Sequence, residues 1–489
     1  MSRLGASEHS PAAPVPAEFA ARVHTGMVPG GVYAFGRGFK PAAEGGYGLT
    51  DPGTETAPAP GLHSAYRIAS CTKSFTAALA LILRDEGTLD LDRPAADYLP
   101  ALSGCAPEDR QSARMFLTMS SGLAPDNCWA DRQESMTPSD LDSLLLRGLP
   151  LVARPGTGFA YSNLGYAILG RIMEEASGRS YAELLTTRLL SPLGLTETSL
   201  DRSLLQVPAV PGFSRDDRGW EKVAHSGPGA FSPIGGLFST AADMKAWIQW
   251  LAAAFGPGED RRPGVLSAAS RREMQQGQRM IPTGPDRPEA EAPRAYGFGV
   301  FVEEHPDHGP VVSHSGGYPG FSSHIRWHPA TGLYGLGLEN ATYAAVQRPV
   351  AKTFEGMLAE LPSAVPEAWP AAVKAAAEVE ALIAGWDDSR ARVLFADNVE
   401  QDAPLDQRRR ELSALLNQTG PLDWGHRSGT EHPTPAQARW TIPGAAANLQ
   451  CSLEMTPVRP ERVQRLEFSV TPAETPCHAE PPSTKFIDM

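Results

Sequence analysis

At 489 residues the chain is too long for a single core, and its length points to two domains, one of them large. Hydrophobic residues at 42% and charged residues at 20% are ordinary for a globular protein in water. A net charge of −13 argues against nucleic acid as a partner, because phosphates would be repelled. The longest apolar run, residues 77–83, is far too short to cross a membrane.

Residues 1–17 are rich in Ala, Pro and Ser and are expected to be unordered. They also lack the apolar stretch of a signal peptide. The five cysteines (Cys71, Cys105, Cys128, Cys451 and Cys477) are odd in number and widely spaced, suggesting neither a disulfide framework nor a zinc site. Free thiols fit a reducing compartment, so the expected location is the cytoplasm.

In chain order, residues 28–39 read as a strand followed by a turn, and 65–68 as a second strand. Residues 72–86 are helical, with Phe75, Leu79, Ile82 and Leu83 forming one buried face. A helix over 163–176 carries Leu164, Ile168 and Ile172 on one side and stops at Gly178. Another covers 241–255. Strand-like runs at 297–303, 310–314, 322–327 and 333–338 suit an antiparallel meander. Strands at both ends with helices between predict an α+β domain over 18–360. Three prolines mark 361–371 as a linker. Beyond it, helices at 371–383, 389–396 and 405–416 precede strands at 438–442, 447–455 and 463–470, a small α+β accessory domain over 372–489.

Three motifs carry chemistry. Ser70 and Lys73 stand three apart at a helix start, so the amine can reach the hydroxyl. A serine is a poor nucleophile until a base takes its proton, and a buried lysine with a lowered pKa is such a base. Of seven lysines, Lys73 alone has a serine three residues earlier. The competing reading is an N-cap serine beside a solvated lysine. Tyr161-Ser162-Asn163, just before a helix, supplies a phenol for proton transfer and an amide for substrate, or else an aromatic core residue and a cap. His314-Ser315-Gly316-Gly317 closes an expected strand, where glycines let a substrate backbone approach and an N–H can meet an oxyanion. A rival copy, His225-Ser226-Gly227, sits in a Pro/Gly-rich loop.

Together and in this order, S-x-x-K, Y-x-N and H-S-G resemble the class C β-lactamase-like serine hydrolases, a family of β-lactamases, DD-peptidases, D-aminopeptidases and esterases. The surrounding stretches YRIASCTKSFTA, PGTGFAYSNLGYAILGRIMEEASGRSY, GGLFSTAADM and HSGGYPGF agree, and the likeness spans about residues 25–360. The resemblance implies an antiparallel sheet flanked by helices, with an all-helical subdomain beside the cleft. It implies Ser70 as nucleophile, Lys73 as its activating partner and Tyr161 as proton relay. It places substrate at Asn163, His314, Ser315 and Gly316, and an oxyanion hole at the backbone N–H groups of Ser70 and Gly317. It implies no cofactor and no metal.

Two departures stand out. His314 replaces the lysine that holds a β-lactam carboxylate, which favours an esterase, amidase or D-peptidase over a true β-lactamase. Met119 stands where the family has a histidine. The expected partner is thus a small ester, amide or short D-peptide. The alternative is a non-catalytic binder of peptides or peptidoglycan fragments. Relatives with an appended domain use it to cap the cleft or to build a homo-oligomer, and one of these roles is expected here. The histidines at 305, 308, 314, 324 and 328 lack metal-ligand spacing and read as strand and loop residues.

Overall fold

The structure is a computed structural model, and it describes residues 15–54, 56–104, 110–256, 262, 264–283, 292–362 and 367–472. The chain divides into two units, Met1–Leu361 and Pro362–Met489. The first is built on an eight-stranded sheet in the spatial order Lys40–Gly48, Gly30–Arg37, Leu333–Glu339, Phe321–His328, Gly309–Tyr318, Phe301–His305, Arg294–Tyr296, Arg279–Met280. Every pairing in it is antiparallel. This is the α+β class expected.

The alternation of a strand explains why the sheet has a layer on each face. Along Gly30–Arg37, Val32 and Ala34 enter the large core beneath the sheet, which includes Phe75, Leu79 and Trp247. Tyr33 and Phe35 point the other way, into a second core with Phe19, Val350, Phe354 and Leu358. That second layer consists of the helices Ala17–His24 and Gln347–Ala359. Arg22 pins the first of these by donating from Nε and a terminal nitrogen to Glu339 at 2.6 and 2.7 Å. Ordered structure thus includes Ala17, at the end of the stretch expected to be unordered; residues 1–14 lie outside the described residues.

Several expectations are corrected. The strand expected over 28–39 spans Gly30–Arg37, the expected turn falls at Gly38 and Phe39, and an unexpected partner strand, Lys40–Gly48, follows it. The run 297–303 is a hairpin, not one strand. Gly297 donates to Val300 O at 2.8 Å, and Gly299 sits at φ +72°, closing the turn between Arg294–Tyr296 and Phe301–His305. The helix Thr72–Asp85 has no solvated face at its centre: Thr72 to Leu83 are all buried. It packs against the helix Asn163–Ser177 and stacks Phe75 on Trp247 of the helix Ala241–Ala252, and its alanines 77, 78 and 80 face neighbours rather than water. Between residues 68 and 212 the described residues contain helices and turns but no named strand, which is the helical subdomain.

In the second unit, three antiparallel strands, Gln437–Ile442, Ala447–Met455 and Val463–Pro472, form one sheet. Helices Pro370–Ala384 and Leu405–Thr419 share a core with it through Val379, Leu382, Leu412, Trp440 and Leu453. A further short helix, Asp397–Asp402, was not expected. Residues 363–366 of the expected linker lie outside the described residues, and its last two residues belong to the helix that starts at Pro370.

Candidate active site

Ser70 lies in a one-turn 3-10 segment, Ala69–Cys71, that feeds directly into the helix Thr72–Asp85. Ala69 holds φ +46°, an uncommon conformation for a residue with a Cβ, and this bend presents the next side chain to a cleft of about 570 Å³. One turn on, Lys73 is fully buried. Its Nζ donates to Ser70 Oγ at 3.1 Å, to Asn163 Oδ1 at 2.6 Å and to the carbonyl of Ile234 at 2.8 Å. Burial pulls its pKa down to about 7, opposed chiefly by the negative charges of Asp131 and Asp126.

Tyr161 and Asn163 come from the entry to the helix Asn163–Ser177. Ser162 caps it by accepting from Gly165 N at 3.2 Å. The carboxylate of Asp126 accepts from the N–H groups of Asn163 and Leu164, both at 2.7 Å, placing an anion on the helix N-terminus. Met119 holds the residues just before. Its carbonyl accepts from Ala160 N at 2.9 Å and its sulfur from Ser162 N at 3.4 Å, with its own backbone at φ +55°. The residue at the family's histidine position therefore positions Tyr161 from both sides. Tyr161 lines the same cleft as Ser70, and the Lys73 Nζ lies 5.0 Å from the centre of its ring. Burial keeps the Tyr161 hydroxyl pKa well above 10.

The third wall is the strand Gly309–Tyr318, which continues past His314 instead of ending there. Its ladder with Phe321–His328 extends to Tyr318↔Phe321, while pairing with Phe301–His305 stops at Ser313↔Phe301. From His314 onward one strand edge has no neighbour in the sheet among the described residues, and a face of the strand packs against Ala69–Cys71. Gly316 is required by the approach: a Cβ there would meet Ile68 O at 2.6 Å and Ala69 Cβ at 2.9 Å. His314 Nδ1 donates to Ser315 O at 2.7 Å, so its Nε2, 3.1 Å from the Tyr296 hydroxyl, accepts. Both ring nitrogens are occupied, and burial with the nearby Lys73 charge takes the pKa down to about 3. The ring is neutral.

The three motifs expected to meet do meet. Ser70, Tyr161, His314, Ser315, Gly316 and Gly317 line one cleft, with Lys73 directly beneath Ser70. Asn163 differs from expectation: it is 1% exposed, lies behind Lys73 and does not line the cleft. Its Nδ2 donates to Asn127 Oδ1 at 2.7 Å, and it is Asn127 that reaches the cleft surface. His225 lies edge-on to Phe238 and tilted against Phe321 in another depression, whose lining does not include Ser70. Among the described residues no group of His, Cys, Asp and Glu is placed to hold a metal. Sequence reasoning missed Asn127, Asp131, Phe159, Phe301 and Tyr343, all on the cleft lining.

A family model described as Beta-lactamase matches residues 15–357. The chain belongs to this family. It is therefore of the serine hydrolase type shared by β-lactamases and penicillin-binding proteins. This β-lactamase-family chain is 28% identical over 330 residues to penicillin-binding protein 4* of Bacillus subtilis (strain 168), covering 62% of this chain and 67% of that protein. It is 29% identical over 217 residues to the D-alanyl-D-alanine-carboxypeptidase/endopeptidase AmpH of Escherichia coli (strain K12), covering 42% of this chain and 52% of AmpH. The match thus spans about half the length of AmpH.

Two solved structures share the fold. One is an octameric penicillin-binding protein homologue from Pyrococcus abyssi, with TM-score 0.60 and 19% identity, covering 93% of this chain and 94% of that one. The other is a D-stereospecific amidohydrolase from Streptomyces, with TM-score 0.55 and 24% identity, covering 68% and 96%. Among the described residues no helix is long and apolar enough to cross a membrane.

Proposed function

We propose that this chain hydrolyses a small ester or amide through an acyl-enzyme on Ser70. The observation that carries this reading is the three-way hydrogen bonding of Lys73. A neutral amine has two N–H bonds and one lone pair. Asn163 Oδ1 and the Ile234 carbonyl can only accept, so they take the two N–H bonds. The lone pair then faces the Ser70 hydroxyl at 3.1 Å. With its pKa near 7, Lys73 is a base matched to neutral solution.

Ser70 Oγ attacks the carbonyl as Lys73 takes its proton. The oxyanion rests on the backbone N–H groups of Ser70 and Gly317. Tyr161, held as a neutral phenol, passes a proton to the leaving group, and water then releases the acyl group by the reverse steps. Asn163 acts as a positioning residue for Lys73, and Asn127 supplies the amide that meets substrate. Because the His314 ring is neutral, it offers no charge to a β-lactam carboxylate, which favours esterase or D-amino-acid amidase activity over β-lactamase activity. We also propose that the chain assembles into a homo-oligomer, as the Pyrococcus homologue does by its description; sedimentation of a monomer alone would refute this.

Exposure to a fluorophosphonate followed by mass spectrometry tests the chemistry. A stable adduct on Ser70, absent from Ser70→Ala, is expected, together with turnover of p-nitrophenyl acetate. Absence of both adduct and turnover would favour a non-catalytic binder. Rapid opening of a chromogenic cephalosporin would favour a true β-lactamase.

A further inference from the structure

The two ends of the cleft differ in chemistry. The strand Gly309–Tyr318 runs along one wall. At one end, opposite Ser313, stands Phe301, stacked parallel to the Tyr161 ring at 6.3 Å, with Phe159 nearby. At the other end Tyr343 stands on Gly317, where an added Cβ would meet its ring at 2.5 Å. Tyr343 at φ +48° and Ala345 at φ +61° hold this loop in its bend. The Tyr343 hydroxyl reaches across and donates to Asp131 Oδ2 at 2.7 Å.

Asp131 is 7% exposed, yet it lines the cleft. Among the described residues its other oxygen has no hydrogen-bond partner. A carboxylate in such a place wants a cation, because burial of an unpaired charge is costly. The neighbouring cations are committed. Arg67 is paired with buried Glu134, and Lys73 Nζ is held among Ser70, Asn163 and Ile234. Arg132 lies beside Tyr343 but is exposed and does not line the cleft. Ser70 is close to the acidic end, since Gly316, next to Gly317, packs on Ala69.

We propose that Asp131 is a specificity-determining residue that binds a protonated primary amine close to the scissile carbonyl, so that the substrates are aminoacyl esters or amides with a free amino group. This deepens the Ser70 reading and rests on it for the chemistry, but not for the binding. The amine's N–H donates to the free Asp131 oxygen, and the apolar remainder lies against Phe301 and Phe159. The arrangement also assists the base. When Lys73 is neutral, the cleft carries the Asp131 charge alone, and the substrate ammonium replaces the missing cation. That ammonium in turn disfavours reprotonation of Lys73.

Binding to the Ser70→Ala protein tests this without turnover. D-alanine anilide, N-acetyl-D-alanine anilide and N-succinyl-D-alanine anilide present a cation, a neutral amide and an anion on one frame. By calorimetry the free amine is expected to bind about tenfold tighter than the acetyl form and tighter still than the succinyl form. Asp131→Asn keeps an oxygen for Tyr343, and adding it to Ser70→Ala should bring the amine and acetyl forms within about threefold while the melting temperature holds. Equal binding of the amine and acetyl forms would overturn the proposal. So would a preference that survives Asp131→Asn, or no measurable binding by any of the three. Fluorophosphonate labelling of the wild-type chain reports separately on Ser70, so failure of the hydrolase reading and failure of the amine site are distinguishable.

Discussion

Lys73 sets the pH response of the site. Its pKa, pulled down to about 7 by burial, means that below neutrality the amine holds a proton and cannot accept one from Ser70. For p-nitrophenyl acetate, which does not titrate, kcat/KM should rise about tenfold per pH unit up to about 7 and then level off. His314, near 3, and Tyr161, well above 10, add no limb in this range. Asp131 is the largest charge holding the Lys73 pKa up, so Asp131→Asn should move the limb to lower pH. A limb that stays in place or moves to higher pH would show that another group is the base. Ser70, Lys73 and Tyr161 were legible because S-x-x-K and Y-x-N are short spacings at helix starts, where local geometry decides which side chains emerge together. Asp131 and Tyr343 were not legible. Their meeting spans 212 positions and depends on two loops closing over Gly317. Met119 was noticed as a departure, but its sulfur contact with Ser162 N needed the fold to be seen.

At the scale of elements, the helix Asn163–Ser177 couples stability to the site. Its N-terminal N–H groups end on the Asp126 carboxylate, and its first residue is the acceptor that orients Lys73. Asp126→Ala leaves two N–H groups without that charge-assisted partner and should cost about 2 kcal/mol, with Asp126→Asn costing less because one acceptor remains. Thermal denaturation should show a loss of a few degrees in Asp126→Ala, and kcat should fall more than KM rises. An unchanged melting temperature with unchanged kcat would show that Ser162 alone suffices as the cap. The apolar period and Gly178, at φ +69°, marked this helix to within a residue, because period and stop signals are local. The run 297–303 reads as one strand although it holds the turn of a hairpin over 294–305, because Gly297 and Gly299 interrupt an otherwise continuous apolar run, and glycine marks a bulge as readily as a turn. The helix Ala17–His24 is hard to read from sequence because it is short, and Arg22 is held by Glu339 and the carbonyl of Ala344, far along the chain's first unit.

At the scale of the whole molecule, each unit closes its own core. The clusters around Phe75 and around Phe19 draw on residues up to Leu361, and the cluster around Leu382 and Trp440 draws on residues from Ala371 onward. Cooperative unfolding follows shared burial, so the chain should melt in two calorimetric transitions. Leu382 is fully buried between the helix Pro370–Ala384 and the three-stranded sheet, and Leu382→Ala should cost about 2–5 kcal/mol through the lost contact and the cavity it leaves. Only one transition should fall. Held just above that lowered midpoint, the variant should still take the fluorophosphonate on Ser70, because the serine, the lysine and the tyrosine all stand on the other core. A single transition, or a drop in both midpoints, would mean that the two units share their stability, and loss of labelling at the lower midpoint would mean that the second unit holds the cleft in its working shape.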